Sequence, residues 1–527
     1  MPTFAAIDIG SNSCRLAIAS VQQHRLKTLY EDREVTRLGE SVFETGVISP
    51  EAMANTIKAL KRFHKAAQVH VADRVRVVAT SAMRDARNSE AFRAWVKSAT
   101  GWNVEVISGL EEGRLIHLGV VTHEPGARGR CMMIDLGGGS CEVTFSDHGR
   151  IQSMVSLPLG AVRLQQEFLQ TDPPSKTDVA RLRKYIDREL RRTERKLGHP
   201  RVGLVIATSG TAAALAEASH ALPAEDVIER APTKGARGKR GRALGAAALM
   251  TDTSSVRRIA DRLLKMNNAQ RAAVPGIGPR RSEIICGGAQ VYAALLERMG
   301  LKGFRYSRLG LRDGMLAQML AETDTRASVH RTMEAERWHG VMELCKHYGV
   351  DLKKATLHSE QAGQIFDQLE RVHELPDEYK LWLRAAAVMQ GVGKYMNHQG
   401  RHRHSQYIIA NSEVFGFSPQ QRAIVAAITR YQGKTRPDPL DRVMRTVPVE
   451  EHTNVIRAIV LLRLAQTLNQ DRGNTAPVRV RTRVYPKRVM IDLVPSRGGA
   501  ELELWSLKKE APYFREVFRR ELFVEVA

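Results

Sequence analysis

The sequence predicts an α/β protein with a duplicated lobe in its first half, a helical domain after it and a small α/β domain at the end. Three observations predict this: a gapless internal repeat, strand-like and helix-like apolar patterns that alternate up to residue 320, and helical patterning from about Ala321. A chain of 527 residues is too long for one hydrophobic core. The expected divisions are 1–125, 126–320, 321–448 and 449–527.

The repeat aligns Asp8-Ile9-Gly10-Ser11-Asn12-Ser13-Cys14-Arg15-Leu16 with Asp135-Leu136-Gly137-Gly138-Gly139-Ser140-Cys141-Glu142-Val143. Each copy follows a short apolar strand, over 4–7 and 132–134, and enters another apolar segment, over 16–19 and 143–145. A third strand follows in each, at 25–30 and at 150–157, the latter after the turn signal Asp147-His148-Gly149. Helical spacing comes next: Met53, Ile57, Leu60 and Phe63 share one face behind the start signal Ser49-Pro50-Glu51.

Bulk composition narrows the function classes. The hydrophobic share is 43% and the aromatic share 6%, as in a folded protein, and no apolar run approaches the roughly 20 residues of a membrane span. The start Met1-Pro2-Thr3-Phe4 lacks the pattern of a secretory signal, so a cytoplasmic address is expected. The five cysteines (Cys14, Cys131, Cys141, Cys286, Cys345) are scattered without a C-x-x-C pair and read as reduced structural thiols. A net charge of +23 and a pI near 10.0 create a field that attracts polyanions, without choosing among nucleic acid, polyphosphate and anionic surfaces.

Two Gly/Ser turns, each headed by an aspartate, have a physical use if they face each other. Glycine lets backbone approach a ligand, and successive N–H groups with Ser or Asn side chains make a cradle for phosphate oxygens. Gly10, Ser11, Asn12 and Ser13 form one expected cradle, and Gly137, Gly138, Gly139 and Ser140 the other. Asp8 and Asp135 are then placed to hold a hydrated Mg²⁺.

These residues resemble the exopolyphosphatase and guanosine pentaphosphate phosphohydrolase family, within the superfamily of actin, sugar kinases and heat-shock chaperone ATPases. The resemblance extends through 79–86 (ATSAMRDA), 107–115 (ISGLEEGRL), 159–163 (LGAVR), 207–211 (ATSGT), 281–285 (RSEII) and 311–314 (LRDG), and weakly to the carboxyl end. It implies a Mg²⁺-dependent hydrolase with two ribonuclease-H-like (actin-like) lobes, a helical HD-like domain and a small carboxyl-terminal domain, commonly as a homodimer.

It also implies that Glu112, the second acid of the Glu111-Glu112 pair, is the general base, since only one of two adjacent glutamates can point at the water. Glu111 is expected to cap the helix, where acids suit the dipole. Glu142 stands where the first copy has Arg15, so the repeat breaks by a reversal of charge. We assign Glu142 to water or metal positioning beside Asp135, and Arg15 to phosphate neutralisation or an ion pair. Arg84 follows an apolar strand (Val75, Val77, Val78) and suits either a fork on a phosphate oxygen or a surface salt bridge. Ser209, Gly210 and Thr211, after Thr208 at the end of a strand over 202–207, offer more phosphate donors or a plain helix cap.

The basic, glycine-rich stretch 232–242 reads as an exposed loop that is either merely solvated or a guide for a polyanion. In the helical half, His339, His358, His398, His402 and His404 invite a metal reading. The family's HD-like pattern, however, calls for a His-Glu or His-Asp step after the helix over 382–389, where Gln390-Gly391 stands. The segment 397–405 is cationic, and reads as domain packing or as a contact for polyphosphate or a partner subunit. A helix over 455–468 and alternating strands over 478–484 and 489–493 mark the last domain.

The expected activity is hydrolysis of terminal phosphoanhydride bonds of inorganic polyphosphate, with guanosine pentaphosphate phosphohydrolase as the near alternative, and neither a membrane nor a specific nucleic-acid partner. An ATP-dependent kinase and a non-enzymatic polyanion binder are the other classes weighed.

Overall fold

A computed structural model describes residues 1–221, 250–433, 435–468, 478–495 and 499–526, so the basic stretch 232–242 lies outside the described residues. Two compact units emerge, Met1–Met333 and Glu334–Ala527.

The first unit opens with strands β1 Thr3–Ile9, β2 Ser13–Gln22 and β3 Arg25–Val35, helices α1 Leu38–Thr45 and α2 Pro50–Val69, strand β4 Arg74–Ala79, helices α3 Ser81–Asp85 and α4 Ser89–Thr100, strand β5 Val104–Val106 and helix α5 Gly109–His123. It continues with β6 Cys131–Leu136, β7 Cys141–Asp147, β8 Arg150–Leu157, α6 Ala161–Phe168, α7 Lys176–Leu197, β9 Leu204–Thr208, α8 Ser209–Ala221, β10 Met250–Asp252, α9 Thr253–Leu263, α10 Asn268–Ala272, α11 Ile285–Arg298, β11 Gly303–Tyr306 and α12 Leu311–Thr323. The expected meanders are present, and the third strand of the first copy runs on to Val35. Helix α2 begins as its start signal predicts, with the Ser49 hydroxyl accepting from the Ala52 N–H at 3.2 Å.

The sheets are ordered β3-β2-β1-β4-β5 and β10-β11-β9-β6-β7-β8, the same winding twice with β10 added at one edge. The likeness reaches the register. Asp8 lies opposite Arg15 and Asp135 opposite Glu142, and each meander carries its irregularity at the matching place, between Ile18 and Ala19 and between Phe145 and Ser146.

Side chains alternate across each sheet. Ala5, Ile7 and Ile9 pack outward in a core with Leu60 and Phe63, while Phe4 and Ala6 face the other sheet. In the second sheet Met132, Ile134 and Leu136 pack outward, and Cys131 and Met133 face back. Between the sheets run α5 and α12, which share that middle core. They cross very closely. A Cβ built on Gly314 would sit 1.8 Å from the Leu115 carbonyl oxygen, and one on Gly119 would sit 2.7 Å from the Gly314 nitrogen. By the same alternation, Asp8 and Asp135 point into the space between the sheets.

The second unit contains most of α13 Ser328–His347, then α14 Leu352–Gln368, α15 Glu370–His373, α16 Glu378–Met389, α17 Arg401–Asn411, α18 Pro419–Arg430, α19 His452–Thr467, strands β12 Arg479–Val484 and β13 Arg488–Val494, helix α20 Glu501–Phe518 and strand β14 Glu521–Val526. One continuous core joins Ile365, Leu383 and Val425 of its helices to Val489, Ile491 and Phe514 of its sheet region. Among the described residues, most of the helical region 321–448 therefore shares one hydrophobic core with 449–527. All five cysteines are free and buried.

Candidate active site

The two Gly/Ser turns meet. A Cβ on Gly138 would lie 3.0 Å from Ser11 Cβ and 3.2 Å from the Asn12 nitrogen. Both turns are fixed in the same way. Gly10 N–H donates to the Ser13 carbonyl and Gly137 N–H to the Ser140 carbonyl, at 3.2 and 3.0 Å, closing each loop on itself. The carbonyls are then tied to the start of the next helix: Ser11 O accepts from Gly39 N–H, and Gly137 O and Gly138 O accept from Ala161 and Val162 N–H. With the carbonyls held there, the N–H groups of Ser11, Asn12, Gly138 and Gly139 have no protein acceptor among the described residues. Such a run of free, pre-oriented donors is a cradle for an anion.

A cavity of about 420 Å³ opens at these turns. Its wall includes every residue of both turns, Asp8, Asp135, Glu112, Ser209, Gly210 and Thr211. Several of these have local duties. Gly10 and Gly137 close their turns rather than offer donors. The Ser11 hydroxyl accepts from Ala82 N–H at 3.2 Å, and the Ser209 hydroxyl donates to the Leu136 carbonyl at 2.7 Å and accepts from Gly210 N–H. Gly210 instead makes room: a Cβ there would lie 2.1 Å from an Arg281 guanidinium nitrogen.

Glu112 reaches the cavity because α5 lies flat on the second sheet. Gly109 and Gly113, one helical turn apart, remove the side chains that would collide with Ser156 at 2.0 Å and Met154 at 2.4 Å. The helix is capped by Ser108, whose hydroxyl accepts from Glu111 N–H at 3.1 Å, and not by Glu111 as expected. The Glu111 carboxylate instead takes a two-pronged bond from the fully buried Arg114, which also reaches Gln318 of α12. Glu111 thus braces α5 against α12, while Glu112 is left for the cavity.

Arg84 donates to Glu112 Oε2 at 3.0 Å and to the Ile107 carbonyl at 2.8 Å, and it is not on the cavity wall. Its guanidinium orients the glutamate. Glu142 also lies behind the wall, 2% exposed, with one oxygen accepting from the Ser156 hydroxyl at 2.8 Å and the other without a partner among the described residues. Burial, then Glu112 and Asp135, drive the Glu142 carboxyl well above the usual range. Burial likewise lifts Glu112 to about 7, against the pull of Arg84 and with a further push from Asp135. Asp8 and Asp135 are raised too, chiefly by burial, with Arg15 opposing in both; Thr208 also donates a hydrogen bond to Asp135.

If Glu112 acts as a base it must be ionised. The expected result is that kcat/KM climbs with pH through about 7 and levels off above it. A profile flat from pH 5.5 to 8.5 would remove Glu112 from that role.

A group of arginines on the same wall escaped sequence reasoning. Arg33, Arg281 and Arg312 join Arg15 there, from stretches far apart in the chain. Arg312 pairs with Glu31 at 3.2 Å, but among the described residues Arg15, Arg33 and Arg281 have no carboxylate partner. Partial desolvation, followed by Arg15, Arg281, Arg280 and Arg312, pushes the Arg33 guanidinium down to about 10. The quoted runs 281–285 and 311–314 contained two of these side chains, but nothing in the sequence showed that they converge.

Another arginine spans the two lobes. Arg163 donates to the Gly139 carbonyl at 2.8 Å and to Ser81 at 3.2 Å, pairs with Asp85, and lies over the Phe43 ring at 4.1 Å. It fixes the second cradle against the first lobe.

Among the described residues no three His, Cys, Asp or Glu side chains form a ready metal cage, including the scattered histidines of the second unit. There Gln390 accepts from Gln466, which also donates to Gln432. Asp8 and Asp135 nonetheless fit a hydrated Mg²⁺, which takes one or two carboxylates and fills its remaining positions with water and phosphate oxygens. Both side chains are half-buried on the cavity wall, and both carboxyls are held above their usual range despite Arg15. No described helix is long and apolar enough to cross a membrane.

Comparison with known proteins bears on this geometry. The model of the Ppx/GppA phosphatase family matches residues 17–323, and that of Ppx/GppA phosphatase domain III matches residues 337–510. Among solved structures, an exopolyphosphatase from Cytophaga hutchinsonii is 25% identical with a TM-score of 0.54, covering 61% of this chain and 98% of its own. An exopolyphosphatase-like protein is 27% identical with a TM-score of 0.53, covering 60% and 96%. A member of the Ppx/GppA family from Aquifex aeolicus is 28% identical with a TM-score of 0.50, covering 61% and 99%. With the family's models matched across both units, the chain belongs to the Ppx/GppA phosphatase family.

Proposed function

We propose that this phosphatase removes terminal phosphate from inorganic polyphosphate. The observation that carries the reading is one cavity with two chemistries: Glu112, lifted to about 7, beside paired N–H cradles, and a set of arginines that repel one another for want of carboxylates. Arginines left uncompensated in a cleft suit a ligand that brings several negative charges.

In this reading the last phosphoryl group rests in the cradles and Glu112 accepts a proton from a water. The water oxygen bonds to the terminal phosphorus, the bridging P–O bond breaks, and the electron pair stays on the shortened chain as orthophosphate forms. The N–H groups of Ser11, Asn12, Gly138 and Gly139 neutralise charge on the oxygens, which is most of what phosphoryl transfer asks of a protein. Asp8 and Asp135 would hold Mg²⁺, which when bound supplies further neutralisation of the phosphate oxygens. Arg84 positions Glu112, and Glu142 lies behind it with a carboxyl that the Glu112 charge helps to keep protonated.

Guanosine pentaphosphate is the second reading, and Tyr306 and Ile284 on the cavity wall favour it as surfaces for a flat base. Phosphate release from long polyphosphate, guanosine pentaphosphate and ATP, each with Mg²⁺, separates the readings. For polyphosphate, Arg33→Ala and Arg281→Ala should each raise KM by roughly 10- to 100-fold while moving kcat less, as for a lost hydrogen bond to a charged group. An unchanged KM for long chains in both variants would overturn the polyphosphate reading.

A further inference from the structure

The sheet of the second unit leaves one face uncovered among the described residues. Its order is β12-β13-β14, with β12 antiparallel and β14 parallel to β13. Side chains alternate along each strand. Val480, Val489, Ile491, Leu493, Leu522 and Val524 are buried in the core with Leu507 and Phe514 of α20, so the residues between them face the other way. All of those are exposed or half-buried.

Strand register fixes which of them are neighbours. Arg483 lies beside Met490 and Met490 beside Phe523; in the next row Arg481 lies beside Asp492 and Asp492 beside Glu525. Tyr485 closes the hairpin on the same side, with the Arg488 guanidinium over its ring at 5.0 Å. Phe523 is 49% exposed and Tyr485 38%. Tyr485, Met490 and Phe523 therefore form an apolar diagonal. Arg479, Arg481 and Arg483 stand at alternate positions of β12, a line of charge about 14 Å long. Arg483 pairs with Asp492 at 2.9 Å, but Arg479, Arg481 and Arg488 have no carboxylate partner among the described residues.

The face favours one occupant. A further peptide strand is not invited at β12, because the Val480 carbonyl already accepts from the Gln368 amide at 3.0 Å and the Thr482 hydroxyl donates to the Gln368 carbonyl at 3.1 Å. A second copy would find an area of about 15 by 20 Å, roughly 300 Å² against the roughly 800 Å² per partner of a stable interface. A bare phosphate chain would use the arginines, gain nothing from the rings and be repelled by Asp492 and Glu525. Single-stranded RNA uses all three: phosphates on arginines, bases stacked on rings of an open sheet, and 2′-hydroxyl or base amino groups donating to the carboxylates.

We propose that the open face of the β12-β13-β14 sheet binds single-stranded RNA, with Arg479, Arg481 and Arg488 taking phosphates and Tyr485 and Phe523 stacking bases. The site lies wholly in the second unit and does not rest on the substrate assigned to the first.

The test uses the full chain and fluorescein-labelled 20-mers of mixed sequence, one RNA and one DNA, followed by fluorescence anisotropy over a range of salt. Expected is saturable RNA binding, with a slope of log affinity against log salt near −2 for about three phosphate contacts on a single strand. The double variant Tyr485→Ala/Phe523→Ala should weaken it about tenfold or more at an unchanged melting temperature. In Arg479→Ala/Arg481→Ala, both exposed and unpaired, the slope should become shallower by about 1.4. Absence of RNA binding at low salt would overturn the proposal, as would wild-type affinity in both variants, which would place the RNA elsewhere on the basic surface. DNA bound as tightly as RNA would overturn the assignment to RNA. A ring variant that keeps its RNA affinity but changes mass in light scattering would assign the face to contact between copies of the chain, and would overturn the proposal equally.

Discussion

Glu112→Gln is expected to lower kcat for phosphate release by about 10²–10⁴-fold with little change in KM, the size of effect that loss of a positioned general base produces. The substitution preserves shape and leaves an oxygen for Arg84, so binding in the cradles should persist. Stability should move the other way. Because the folded carboxyl is lifted from the ordinary range to about 7, the folded state is favoured by its proton and penalised as pH rises through that interval. At pH 8 the penalty is fully present in the wild type and absent in the glutamine variant. The variant should then unfold less readily by on the order of 1–3 kcal/mol, read from denaturant midpoints. An inactive protein of raised stability would tie the loss to chemistry, whereas an active one would end the base assignment.

Gly314→Ala should have the largest effect on folding. The added methyl would lie 1.8 Å from the Leu115 carbonyl oxygen, which is backbone and has no rotamer to change. Relief requires α5 and α12 to separate, loosening the core that both sheets share. The cost should be about 3 kcal/mol or somewhat more, at or beyond the top of the usual range for overpacking. Since Glu112 is on the first turn of α5, activity should fall with stability, and urea unfolding followed alongside phosphate release would detect both. Gly300→Ala gives a contrast. Among the described residues no atom lies within 4 Å of that added methyl, so its smaller cost should come from the positive φ of 62°.

Much of this architecture was legible in the residues, for identifiable reasons. The first strands of both meanders are short apolar runs, and the turns carry glycine where the backbone folds tightly, so the duplication and its loops could be read without coordinates. The charge reversal between Arg15 and Glu142 was visible as well, because the repeat supplies its own reference. What stayed hidden depends on contacts distant in sequence. Arg84 resembles a phosphate ligand until Ile107 and Glu112 are seen to hold it. Glu111 resembles a cap until Arg114 and Gln318 appear beside it. Arg33, Arg281 and Arg312 have nothing local in common, and only the winding of both sheets brings them to one wall. That the described residues of 449–527 share a core with the helices before them was equally hidden, since apolar periodicity tells which face is buried and not what buries it.

The unequal placing of the paired positions Arg15 and Glu142 has a bearing on direction. A linear polyphosphate has two identical ends and no polarity of its own, so an enclosure symmetric about its midpoint could admit it in either sense. Here the halves match in winding, but Arg15 stands on the cavity wall while its counterpart Glu142 is buried behind it, so the two halves meet a ligand unequally. Orientation would thereby belong to the protein, with one end delivered to the carboxylates and the remaining length trailing over the guanidinium groups.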